Sequence, residues 1–171
     1  MGLIELSEPK EPTEERVKLE QSFRSGANWF YWIAGLSVVN SVIQILGSDR
    51  SFIVGLGITQ VFDAIAAAGA QEAGDATAGG VLKGVAFFLD LLVAGFFVLL
   101  GWRSGKRAAW AFVLGMVLYA LDGLIFLLVQ DWLSLGFHAF ALFGIGVGYS
   151  SLRKLQAAEV RIGMLPIEPG R

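Results

Sequence analysis

Four ionisable residues, Asp63, Asp90, Asp122 and His138, lie well inside long apolar runs of this 171-residue chain. Three carboxyl groups and an imidazole are the groups that hold a borderline divalent cation or pass protons along a titrating path. A carboxylate at the centre of a bilayer costs roughly 2.5–3.5 kcal/mol on insertion scales, so each of these acids needs a physical reason to be there. Two reasons compete. In one, the acids are neutral and donate hydrogen bonds between helices, a packing role. In the other, the four groups converge on an ion or proton site, with Thr59, Gln60 and Tyr119 as its polar lining. Asp122 and His138 flank the turn at Gln130–Asp131 at similar distances and are expected to touch. Ser134, one helical turn before His138, is placed to satisfy the ring's other nitrogen. For Asp90 the only foreseeable partners are Lys83 and another buried Asp.

These residues are positioned by five hydrophobic stretches, 28–46, 52–70, 81–102, 108–130 and 132–155, each long enough or nearly so to span a bilayer as a helix. Apolar residues make up 55% of the chain and mean hydropathy is +0.63, above the range of ordinary soluble domains of this size. The expected fold is all-α: a multi-pass transmembrane bundle of four to five hydrophobic helices behind a short N-terminal amphipathic surface helix. Its divisions fall at 1–26, a polar tail carrying that helix; 27–155, the membrane domain; and 156–171, a loose C-terminal tail. Thr13 is a candidate cap for the surface helix, Glu20/Arg24 a favourable i,i+4 pair, and Gly26 its expected end. No signal-peptide pattern precedes the first segment, which is expected to act as its own membrane signal.

The first segment opens with Trp29, Phe30, Tyr31 and Trp32, rings expected at headgroup level. A stripe of Ser37, Asn40, Ser41, Gln44 and Ser48 follows at helical spacing, so one face forms hydrogen bonds. With no Lys or Arg on that face, the segment is expected to span and to turn the stripe toward neighbouring helices. The second segment is the weakest span, broken by Gly55, Gly57, Thr59, Gln60 and Asp63.

Lys and Arg collect on cytoplasmic flanks, and the thirteen here favour four crossings. With the first segment in the interface, only Lys83 lies outside. With the second segment dipping in and returning by the same face, only Arg50 and Lys83 do. Both arrangements put the RSGKR loop and the C-terminal tail in the cytoplasm of a cell-membrane protein. A five-crossing form with the N-terminus outside does so too.

Several chemistries find little support. The chain has no cysteine, which removes disulfides, thiolate metal sites and cysteine nucleophiles together. A net charge of −2, with basic residues beside the apolar runs rather than in a patch, argues against nucleic acid. Two facing Asp residues would serve an intramembrane aspartyl protease, but QVFDAI, FFLDLL and YALDGL supply no catalytic context. A serine hydrolase needs its histidine beside a serine on a glycine elbow, and the single histidine has Ser134 nearby without such an elbow. Gly144-x-x-x-Gly148 and Gly80-x-x-x-Gly84 read as close helix packing. The expectation is a small membrane protein, with no enzyme chemistry assigned, that handles protons or cations, or serves as a scaffold or accessory subunit whose acids only fix packing. No cofactor is evident, though the acids and histidine suit a divalent cation. The expected partners are the lipid bilayer and, for a transporter this small, further copies of the chain.

Overall fold

The computed structural model describes residues 12–46 and 55–163. Five helices follow in order: α1 (Pro12–Ile45), α2 (Gly57–Ala73), α3 (Ala76–Gly105), α4 (Ala109–Leu128) and α5 (Trp132–Gly163). The described residues contain no strand. Helices α3, α4 and α5 are each long and apolar enough to cross a membrane, which suggests a membrane location.

α1, α3, α4 and α5 form a four-helix ring in which α1 packs on α3 and α5, and α4 closes the gap between those two. α2 lies outside the ring, chiefly against α3. The ring's polarity follows from one residue. Arg107, in the α3–α4 turn, donates to Glu20 Oε2 of α1 at 2.8 Å and to Glu159 Oε1 of α5 at 2.7 Å, and Arg16 reaches the same Glu159 oxygen at 3.3 Å. The start of α1, the α3–α4 turn and the end of α5 therefore share one end of the bundle, the basic end. The α2–α3 and α4–α5 turns lie at the other.

The structure departs from the sequence expectation at Gly26, which does not end a surface helix. α1 runs straight through it. A Cβ on Gly26 would stand 2.5 Å from Gly148 Cα, so the two glycines let α1 and α5 touch backbone to backbone, and Gly148 of the Gly-x-x-x-Gly pair is used against α1. The neighbouring notches take aromatic rings: a Cβ on Gly144 would collide with the Trp29 indole, and one on Gly115 with the Phe30 ring. The cluster at 29–32 accordingly does not act as one headgroup belt. Phe30 is wholly buried against Phe97 and Phe112, while Tyr31 and Trp32 face outward. Successive helix residues point about 100° apart, so four in a row must divide between core and surface.

At the basic end α5 continues past residue 155 to Gly163, and Glu159 on that extension is held by Arg16 and Arg107. The remaining tail, the first eleven residues, and Ser48 and Arg50 lie outside the described residues.

Candidate functional site

α2 begins inside the bundle rather than at its end. Leu56, the residue before its first turn, is fully buried, and its N–H donates to Ser37 Oγ of α1 at 2.9 Å. Ser37 lies two turns before the end of α1, so α2 starts roughly 12 Å below that end. α1 finishes at the end opposite Arg107, and α2 rises from this depth to the exposed turn at Gly74–Asp75 at that same end. Gly57 has almost no room for a side chain, since a Cβ there would sit 3.0 Å from the Phe126 ring and 3.2 Å from the Asp122 carbonyl oxygen.

The first N–H groups of a helix have no partner within it, and leaving them unpaired in an apolar interior costs about 1–3 kcal/mol each. Asp122 of α4 supplies the partners. Its Oδ2 accepts from Gly57 N at 2.7 Å and its Oδ1 from Ile58 N at 2.9 Å. The carboxyl thus caps a helix from a different segment, at the positive end of its dipole. Thr59 completes the turn by donating its hydroxyl to the Leu56 carbonyl at 2.7 Å.

His138 of α5 holds Asp122 from behind, with Nε2 3.0 Å from Oδ2; the expected pair does form. The other nitrogen, Nδ1, lies 2.9 Å from the Ser134 carbonyl oxygen. A carbonyl only accepts, so Nδ1 carries a hydrogen, and the short Nε2–Oδ2 contact needs a second. Asp122 and His138 together are then neutral, whichever of the two holds that second proton. Ser134 serves through its backbone, because its hydroxyl donates to Asp131 Oδ2 at 2.6 Å. Tyr119 stacks on the imidazole at 4.2 Å between centroids and Phe126 packs against it at 4.9 Å, which fixes the ring plane. Tyr119 is a wall of this pair, not the lining of an open space.

Asp63 and Asp90 form a second and separate pair across α2 and α3. Their carboxyl groups are neighbours, close enough to act on each other. Asp90 is 1% exposed, and its Oδ2 accepts from Ser41 Oγ of α1 at 2.6 Å. Its Oδ1 has no N–H or hydroxyl donor among the described residues. Gln60 is half-buried on the α2 face that carries Asp63, and Lys83 is exposed on α3, two turns from Asp90. The four predicted groups therefore do not form one cluster. Among the described residues no three His, Asp or Glu side chains come together as metal ligands would.

Ser37 and Ser41, which the structure adds to the site, belong to the stripe visible in the sequence. Its buried members Ser37, Asn40 and Ser41 face α2 and α3 around the incoming chain, where a Cβ on Gly55 would lie 3.4 Å from Asn40 Nδ2. The Gly57 and Ile58 amides are backbone donors and carry no residue-type signal at all. Comparison with known proteins adds nothing to these contacts: no family model, curated protein or solved structure matches the chain. Three apolar helices and a buried Asp–His pair are compatible with a small membrane protein.

Proposed function

We propose that the chain is a polytopic protein of the cell membrane, crossed by α1, α3, α4 and α5, in which α2 enters and leaves by the same face. Its role is that of a non-catalytic scaffold or accessory subunit. The basic end, with both chain ends and the RSGKR loop, lies in the cytoplasm, as the distribution of Lys and Arg favours. Irregular backbone at membrane depth is tolerated only where protein shields it, and the capped start of α2 meets that condition.

The observation that carries this reading is the use of Asp122 and His138. Both carboxyl oxygens and both ring nitrogens are engaged by backbone groups or by each other. Groups so engaged hold a helix start in place, which is what a packing role requires. Thr59 is likewise bonded to the backbone, and Tyr119 packs its ring on the imidazole.

The test is reconstitution into liposomes with a pH-sensitive dye inside and an imposed proton gradient. Wild type is expected to collapse the gradient no faster than empty liposomes, with Asp122→Asn indistinguishable from it. Dye quenching that wild type accelerates and Asp122→Asn abolishes, in a protein still folded, would replace the scaffold by a proton pathway.

A further inference from the structure

We propose that Asp63, Asp90 and Ser41 form a proton-binding site distinct from the Asp122–His138 pair. Two ionised carboxylates accept hydrogen bonds and donate none, so Asp63 and Asp90, neighbours across α2 and α3, can pair only with a proton on one of them. Asp90 points to the same conclusion independently. It is 1% exposed, yet Oδ1 has no nitrogen or hydroxyl donor among the described residues. A buried oxygen left so is expensive, and a shared carboxyl proton removes the deficit.

Ser41 gives the site room for a second proton. Its hydroxyl has one hydrogen and two acceptors in reach, Asp90 Oδ2 at 2.6 Å and the Ser37 carbonyl oxygen at 3.2 Å. With Asp90 ionised, Ser41 donates to it. With a proton on Oδ2, Asp90 donates to Ser41 Oγ, and the hydroxyl turns its own hydrogen to Ser37. The proton comes from water at the end of the bundle opposite Arg107, toward which half-buried Asp63 and the exposed α2–α3 turn lead.

The surrounding charges leave the pair to itself. α1 contributes no charged residue between Ser25 and Ile45. On α3 Lys83 is exposed two turns away; Glu72 of α2 and Asp75 of the turn are exposed; and Asp122 of α4 is matched by His138 of α5. Because α2 is held chiefly by α3, losing the shared proton would set two negative charges across its main contact. The site binds a proton and needs no translocation, so its failure leaves the scaffold reading standing.

The test is infrared difference spectroscopy on the full chain in lipid nanodiscs, following the carboxylic-acid C=O stretch as the pH is raised from neutral. Asp122→Asn serves as background, which removes the other buried acid. A protonated-acid band is expected at neutral pH, lost on raising the pH and absent in Asp63→Asn and in Asp90→Asn. An amide can donate to the remaining carboxylate, so both variants are expected to fold. If either does not, the band in the Asp122→Asn background and its pH dependence still decide. Ser41→Ala should shift the band without removing it. Absence of the band at neutral pH overturns the proposal, as does a band that survives both Asn substitutions. A band seen only after sodium and potassium are removed overturns it too, and marks the pair as a monovalent-cation site.

Discussion

Asp122 serves two backbone amides and a histidine at once, and its replacement separates these contributions. Asp122→Ala leaves the Gly57 and Ile58 N–H groups and His138 Nε2 without their partner, three buried polar groups together. The expected loss is about 3–5 kcal/mol, from roughly 1–3 kcal/mol per buried group with partial relaxation. Asp122→Asn keeps one carbonyl acceptor and is expected to cost less than half as much. Thermal unfolding in mild detergent measures both; equal losses would mean that the carboxyl does not cap α2. Asp131 gives a pH-dependent counterpart outside the apolar runs. The Ser134 hydroxyl and N–H hold its carboxyl below the usual value of 3.8. A lowered folded-state value means stability that is present above the unfolded value and lost as pH falls through the folded one. Ser134→Ala is therefore expected to move the acid-unfolding midpoint upward, while an unchanged midpoint would remove Asp131 from the stability of α5.

The α1–α5 crossing tests packing at the level of elements. Gly26→Ala places a methyl group where Gly148 Cα leaves 2.5 Å, backbone against backbone, so the helices must separate. A loss of about 1–3 kcal/mol is expected, as for other over-packed contacts. Gly35→Ala is the control on the same helix, because nothing lies within 4 Å of the added Cβ. There, the better helix propensity of alanine should leave stability unchanged or raise it by up to about 1 kcal/mol. If the two variants unfold alike, the close crossing is not what holds α1 to α5. Toward the basic end of the same contact Arg107 adopts a left-handed backbone, φ 64, in the turn, and ties α1 to α5 through Glu20 and Glu159. These hydrogen bonds, that to Glu159 first, raise its already high pKa, so the guanidinium stays charged across the working range.

At the scale of the whole molecule, α2 decides the topology. The absence of cysteine makes single-cysteine labelling clean. A cysteine at Leu46 and one at Glu72, on the two sides of α2, are expected to react with a membrane-impermeant maleimide from the same face of sealed vesicles. Cysteines at Arg24 and Lys106 should react from the other. If positions 46 and 72 label from opposite faces, α2 crosses and the proposed topology fails. The ion-pair link at the basic end and the glycine contact explain why α1 behaves as one 34-residue helix rather than as a surface helix followed by a span.

Much of this was legible in the residues alone. Long apolar runs separated by short polar turns determine an all-helical chain, because backbone groups without water must pair within their own segment; the residues read as four to five spans, and three of the helices are long and apolar enough for one. The Asp122–His138 contact was legible because a short turn leaves adjacent antiparallel helices one arrangement. The broken hydropathy of 52–70 marked α2 as the odd segment, and the stripe on α1 marked a hydrogen-bonding face. Only the tertiary structure decided that the four ionisable groups are two pairs rather than one layer, and that Ser37 and Asp122 meet the start of α2. Those contacts depend on where a helix begins inside the bundle and on backbone amides that every residue possesses. Gly26 is the same case: in sequence a helix terminator, it becomes a contact surface only once Gly148 stands opposite.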